Sequence, residues 1–114
     1  MSGRVYLDWN ATAPLRVEAR ATMIAALEAC GNPSSVHAEG RAAKAIVERA
    51  REEVAEAVGC HAAEVVFTSG ATEANCAVLH GAVAAAGPAA ALVTSTAEHP
   101  SVEEPAAALA ARGH

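Results

Sequence analysis

The sequence is poor in aromatic residues, contains a single lysine and lacks long apolar runs. Its 114 residues include one Trp, one Tyr and one Phe, although 53% are hydrophobic. Much of that fraction is alanine, which favours helices but buries little area, so we expect one domain with a thin core. The 8 basic and 13 acidic residues give a net charge of -5, which argues against nucleic-acid or membrane-surface binding. No apolar run reaches the roughly 18 residues of a transmembrane span.

Cysteine is also scarce and is not paired. The three cysteines, Cys30, Cys60 and Cys76, are odd in number and widely spaced. This usage is typical of reduced thiols in a cytoplasmic protein. None of them has a metal-ligand spacing to a pair of histidines, so the sequence predicts no metal site. A small buried or surface thiol is the ordinary interpretation of each.

The order of apolar segments and turn formers predicts an α/β chain. We expect helices over about residues 15–30, 38–58, 71–86 and 101–112, the first two ended by Gly31 and Gly59. Short strands are expected over residues 5–8, 64–67 and 91–95. Strand, helix and strand from Glu64 to Ser95 form a βαβ unit, which crosses over right-handedly into a parallel sheet.

The stretch from residue 64 to residue 75 has the order of an anion site: strand, small-residue turn and helix. The first N–H groups of a helix have no internal partner, and the helix dipole adds positive charge there. Gly70 and Ala71 keep the approach open, and the Thr72 hydroxyl offers another donor. With Gly70 as N-cap, Glu73 stands where a carboxylate reaches back to cap the helix.

A second polar loop, residues 96–100, follows the next predicted strand. Ligands of open α/β sheets collect at the carboxyl ends of the strands, so we expect His99 near a phosphate held by Gly70, Ala71 and Thr72. The residues alone predict only a phosphate-containing ligand, because no Walker or dinucleotide fingerprint is present. A structural role is the alternative for His99, and a plain connector is the alternative for the loop of residues 31–37.

Four motifs in order resemble those of cysteine desulfurases. They are Val5-Tyr6-Leu7-Asp8-Trp9-Asn10-Ala11-Thr12, then Gly31-Asn32-Pro33-Ser34-Ser35-Val36-His37, then Phe67-Thr68-Ser69-Gly70-Ala71-Thr72-Glu73-Ala74-Asn75, and finally Glu98-His99-Pro100. The resemblance covers nearly the whole chain. It is to the class V group of pyridoxal-phosphate-dependent enzymes with the fold type I aminotransferase architecture. Trp9 departs from the pattern, in which a polar residue is commoner.

This resemblance implies a cofactor, pyridoxal 5'-phosphate, and a role for several residues. The Gly70 turn with Ala71 and Thr72 matches the positions that hold the cofactor phosphate, and His99 matches a catalytic histidine that stacks on the pyridine ring and assists proton transfer. Asn10, Asn32 and His37 match stretches at the active-site entrance. Enzymes of this family convert L-cysteine to L-alanine, keep the sulfur as a persulfide and pass it to an acceptor or scaffold protein for iron–sulfur cluster assembly. The full-length enzymes are homodimers.

The resemblance also implies that this chain is an N-terminal fragment with an incomplete fold. We expect residues 1–37 to join the small domain and the active-site entrance, and residues 38–114 to start the large cofactor-binding domain. The cofactor-binding lysine, the aspartate facing the pyridine nitrogen, the substrate-binding arginine and the persulfide cysteine belong to regions beyond those matched here, so the isolated chain is expected to be inactive. Two alternatives stay open: another class V enzyme such as a selenocysteine lyase, or a non-catalytic remnant that binds a phosphate ligand or a partner chain.

Overall fold

Four α-helices supply most of the regular structure of residues 3–114, the part of the chain that this computed structural model describes. Helix α1 spans Val17–Leu27, α2 Ala38–Val58, α3 Ala71–Ala86 and α4 Pro100–Ala110, and a 3-10 turn spans Ala62–Glu64. The predicted bounds of α2 and α3 are confirmed. Helix α1 is shorter than predicted at both ends, and α4 begins and ends earlier than predicted.

The chain divides into two units, one up to Val65 and the other from Val66 to His114. The sequence predicted a boundary after residue 37 between a small and a large domain. That boundary concerns a larger enzyme and stays a prediction, and residues 1 and 2 lie outside the described part. In the first unit α1 and α2 line a shared cleft of about 330 Å³. Arg51 of α2 donates hydrogen bonds to Glu48 on the same helix and to the Val65 carbonyl oxygen, so this side chain ties the end of the first unit to α2.

Glycines end α2 and α3 but not α1. Gly59, with a φ of 73°, follows α2, and Gly87, with a φ of 88°, follows α3, both in a conformation that favours glycine. Gly31 does not end α1, contrary to the prediction, because the helix stops at Leu27 with Glu28 as its C-cap. A β-carbon on Gly31 would lie 2.8 Å from the carbonyl carbon of Glu39. This glycine therefore permits a close approach to the first turn of α2.

The predicted βαβ unit is not formed in this structure, because residues 3–114 contain no β-strand. Glu64 ends the 3-10 turn, residues 65–67 and 91–95 have no regular secondary structure, and Val66 and Val93 are 78% and 93% exposed. A strand needs a neighbouring strand to pair with its N–H and C=O groups, and residues 3–114 form no such ladder. Near the N-terminus, Tyr6 instead shares its hydroxyl hydrogen between the carbonyl oxygens of Asp8 and Thr12, which holds residues 6–12 in a local turn. The helices of the predicted α/β fold are thus present and its sheet is not.

Helices α3 and α4 pack together in the second unit, N-terminal part against N-terminal part and C-terminal part against C-terminal part. Near their N-terminal ends, Asn75 of α3 bonds to Ser101 of α4. Near their C-terminal ends, Val83 of α3 and Leu109 of α4 line one cleft. Val83 and Leu109 are 6% and 3% exposed, so they form the apolar core of this unit. This arrangement brings both helix N-termini, with their partial positive charge, to one end of the unit.

The described residues bury little apolar surface. Their buried hydrophobic residues are Ala55, Val83 and Leu109, whereas Leu7, Val17 and other large apolar side chains are exposed. The thin core expected from an alanine-rich sequence is therefore observed. No helix among residues 3–114 is both long and apolar enough to cross a membrane.

Candidate functional site

The start of α3 is an open helix terminus, as the sequence predicts. Gly70 is the N-cap and has no side chain that could cap the helix. The first N–H groups of the helix therefore depend on solvent or a ligand. No neighbouring atom lies within 4 Å of the place where a β-carbon of Gly70 would stand. Ala71 and Thr72 form the first exposed turn. These features suit a small anion with several acceptor oxygens.

Glu73 is bound to the residue before the cap and not to the cap itself. Its Oε2 accepts hydrogen bonds from the backbone N–H and the hydroxyl of Ser69, both at 2.7 Å. The predicted reach back to Gly70 is thus displaced by one residue. The backbone bond from Ser69, and then the hydroxyl bond, lower the pKa of Glu73 below its usual 4.5. An ionised carboxylate therefore uses the Ser69 donors and leaves those of Ala71 and Thr72 for a ligand.

A cleft of about 580 Å³ begins at this helix terminus and follows one side of α3. Thr72 lies at its start, and Cys76 and His80 lie one and two turns further on. His99 is not among its lining residues. The cleft therefore contains the predicted phosphate residue Thr72 without the predicted ring-stacking histidine.

His99 is the N-cap of α4. Its backbone is extended, and its Nδ1 accepts a hydrogen bond from the Ser101 N–H at 3.1 Å. Pro100 occupies the first helical position, where its missing N–H costs nothing. A histidine directly before such a proline is the sequence signal that could have identified this cap. His99 thus has the structural role that the sequence left open as an alternative, because its Nδ1 caps α4. Its Nε2 takes no part in the cap.

Two residues of this region were not assigned from the sequence. Asn75 Nδ2 donates to Ser101 Oγ at 2.9 Å, and the same Oγ lies 2.9 Å from His99 Nδ1. Ser101 is only 7% exposed, so this contact is largely shielded from water. Through it, the structure brings His99 to the end of the unit at which α3 begins. Asn75 and Ser101 are 26 residues apart, and no local pattern marks such a pair.

The residues expected at an active-site entrance lie in the first unit and organise local turns. Asn32 Oδ1 accepts a hydrogen bond from the Ser34 N–H at 2.9 Å. His37 is the N-cap of α2, where its Nδ1 accepts from the Gly40 N–H at 3.3 Å and lies 3.0 Å from Glu39 Oε2. Asn10 is exposed in the turn of residues 9–11. A role for Asn10, Asn32 and His37 at an entrance stays a prediction.

Lysine and cysteine side chains supply the other chemically active groups. The only lysine in the sequence, Lys44, is exposed on α2. All three cysteines are free: Cys30 and Cys60 are exposed, and Cys76 is half-buried beside the α3 cleft. Among residues 3–114 no group of three or more His, Cys, Asp or Glu side chains is arranged to hold a metal ion.

Comparison with known proteins gives a consistent set of relatives. The family model described as aminotransferase class-V matches residues 5–114. The cysteine desulfurase IscS of Dictyoglomus turgidum is 44% identical over 107 residues, which are 92% of this chain and 27% of that protein. A cysteine desulfurase of Cereibacter sphaeroides is 46% identical over 101 residues, covering 87% and 26%. The human selenocysteine lyase is 47% identical over 81 residues, covering 70% and 18%.

The chain thus spans about a quarter or less of the length of these relatives. Comparison with the solved structures gave no match.

Proposed function

This chain belongs to the aminotransferase class-V family, and from that premise we propose that it is the N-terminal part of a cysteine desulfurase and holds part of a pyridoxal 5'-phosphate site. The observation that carries the proposal is the uncapped start of α3 at Gly70. His99 lies at the same end of the second unit, connected to α3 through Ser101 and Asn75. Two cysteine desulfurases among the relatives support this reading.

The residues present fit the phosphate of this cofactor. The N–H groups of Ala71 and Thr72 and the Thr72 hydroxyl would hold it, and Gly70 leaves the approach unobstructed. The positive end of the α3 dipole favours a dianion there, so no cationic side chain is needed. His99 would contact the pyridine ring. When bound, the cofactor supplies the electron sink that reactions at an amino-acid α-carbon require.

We further propose the reaction and the setting. The complete enzyme would take L-cysteine, release L-alanine and pass sulfur as a persulfide to an acceptor or scaffold protein for iron–sulfur cluster assembly. It would act as a homodimer in the cytoplasm, a setting supported by the three free cysteines. The chain by itself would not turn over substrate, because its one lysine is exposed on α2 and lacks the desolvation that activates catalytic lysines.

A selenocysteine lyase is the second candidate, favoured by the 47% identity to the human enzyme of that name. The two candidates share the cofactor site proposed here and differ in the substrate atom that is removed. Comparing L-cysteine with L-selenocysteine as substrates of the complete enzyme separates them. A higher kcat/KM for L-selenocysteine would favour the second candidate.

Titration of the chain with pyridoxal 5'-phosphate, followed by the absorbance and fluorescence of the cofactor, tests the site. We expect saturable binding that inorganic phosphate displaces. Thr72→Ala should weaken binding about tenfold, the effect of losing one hydrogen bond to a charged group. Thr22→Ala is the matched control, because the Thr22 hydroxyl bonds to Glu18 within α1. Equal binding by both variants, or binding that phosphate does not displace, would contradict the proposal.

A further inference from the structure

The contacts of His99 fix which ring nitrogen carries its proton in the neutral form. Nδ1 lies 3.1 Å from the backbone N of Ser101, whose hydrogen points at it. Nδ1 must offer a lone pair to accept that hydrogen, so the proton of the neutral ring is on Nε2. A proton on Nδ1 would instead face the Ser101 N–H and break the cap of α4.

The Ser101 hydroxyl also favours the tautomer with the proton on Nε2. Its Oγ lies 2.9 Å from His99 Nδ1 and accepts the amide hydrogen of Asn75 at 2.9 Å. An oxygen that accepts from Asn75 is free to donate its own hydrogen to Nδ1. The three groups then form one directed series of hydrogen bonds, from the Asn75 amide through the Ser101 hydroxyl to His99. The Ser101 N–H and O–H then share the one lone pair of Nδ1, and Ser101 is buried enough that water competes little.

We propose that Asn75 and Ser101 are positioning residues that hold His99 as the Nε2–H tautomer, so that its imidazole offers an N–H donor at Nε2. The proposal rests on the proposed function only for the identity of the ligand that receives this donor. A histidine held in this way can donate its Nε2–H to an acceptor atom, or its uncharged ring can stack on another ring. It serves as a base at Nε2 only after the cap at Nδ1 is broken.

The orientation of the Asn75 amide provides a sharp variant. In Asn75→Asp the side chain keeps its shape but can no longer donate, so the Ser101 hydroxyl turns to donate to the new carboxylate. The Ser101 oxygen then presents a lone pair to His99 Nδ1 and favours the opposite tautomer, with the proton on Nδ1. In Ser101→Ala one of the two donors to Nδ1 is lost and the backbone N–H remains. We therefore expect a partial loss of tautomer preference in Ser101→Ala and a stronger shift toward Nδ1–H in Asn75→Asp.

Long-range ¹H–¹⁵N correlation spectra of the ¹⁵N-labelled chain measure this directly, because the two neutral tautomers give distinct nitrogen shifts. Spectra are taken without cofactor in mildly alkaline buffer, where imidazoles are neutral. His99→Gln identifies the His99 signals among the five histidines, and Thr22→Ala is the control for removing a hydroxyl elsewhere. Far-UV circular dichroism checks that each variant keeps its helices.

We expect the wild-type chain to show the Nε2–H pattern at His99. The two ring-nitrogen signals should move toward each other in Ser101→Ala and move furthest in Asn75→Asp. A wild-type spectrum with the proton on Nδ1, or with equal tautomers, overturns the proposal even where a variant fails to fold. Folded variants with unchanged His99 signals also overturn it. Failure of the proposed function would appear separately, as absent cofactor binding in the titration, while this spectrum would be unaffected.

Discussion

Gly40, in the first turn of α2, lies directly against Ser35 of the preceding loop. A β-carbon at Gly40 would lie 2.7 Å from Ser35 Cβ and 2.8 Å from the Asn32 carbonyl oxygen. Gly40 is buried, and its N–H bonds to the His37 ring. The loop from Asn32 to His37 therefore packs onto the helix start only because this position lacks a side chain.

Replacing Gly40 with alanine is expected to destabilise the first unit. Alanine is about 1 kcal/mol better than glycine inside a helix, but forcing a methyl group into a closed contact costs about 1–3 kcal/mol. The backbone atoms of Asn32 and Ser35 cannot give way as a flexible side chain would, so the steric cost should prevail. Gly81→Ala in α3 is the matched control, because no neighbouring atom lies within 4 Å of its β-carbon position.

Loss of the far-UV circular dichroism signal on heating measures both variants. Gly81→Ala should retain helix to a higher temperature than the wild type, and Gly40→Ala should lose it at a lower one. Stabilisation by both substitutions would show that the loop does not pack against α2 as described.

The carboxylate of Glu73 is expected to make the start of α3 sensitive to acid. Its folded-state pKa is lowered below 4.5 by the Ser69 hydrogen bonds, so its stabilising contribution is complete above pH 4.5 and disappears as the pH falls through the lowered value. Glu73→Gln should therefore lose helix content relative to the wild type near neutral pH, and the two should converge in acid. Circular dichroism as a function of pH measures this. Glu104→Gln, at an exposed position on α4, is the control; a constant difference between Glu73→Gln and wild type at all pH values would refute the assignment.

Two leucines test where the core lies. Leu109 is 3% exposed on α4, and Leu27 is 82% exposed at the end of α1. Leu109→Ala should cost at least about 2 kcal/mol, as for buried leucines, and Leu27→Ala should change stability by less than about 0.5 kcal/mol. The isolated chain should also unfold over a broad temperature range, because so few apolar residues are buried. A sharp transition of a monomer at high temperature, or equal effects of the two substitutions, would contradict this picture.

The sequence predicted what local chemistry decides. The predicted bounds of α3 rest on Gly70 before the helix and Gly87 after it, and the predicted end of α2 rests on Gly59, whereas the His37 cap of α2 was not predicted. The strands were not confirmed, because strand pairing depends on partners distant in sequence and the described residues supply none.

In the candidate site, too, local features were predictable from the sequence and contacts between distant residues were not. Its open helix terminus is a property of one segment, and the sequence located it. The bond between Asn75 and Ser101 joins two helices, and only the packing of α3 on α4 reveals it. His99 lies between these cases: its place directly before Pro100 marks a helix start in the sequence, whereas the contacts of its ring required the structure.

The chain by itself is expected not to release sulfur from cysteine. That chemistry needs an amine to bind the cofactor and a thiolate to attack the substrate sulfur. The only lysine, Lys44, is exposed on α2, whereas catalytic lysines are activated by desolvation. We expect weak, non-covalent binding of pyridoxal 5'-phosphate and no sulfide release above that of free cofactor.

Incubation with the cofactor, borohydride reduction and peptide mapping would detect a covalent bond, and a sulfide assay with L-cysteine and a thiol reductant would detect turnover. Lys44→Arg is the control, and it should behave as the wild type in both measurements. Stoichiometric labelling of Lys44, together with turnover that Lys44→Arg abolishes, would require a different account of the site.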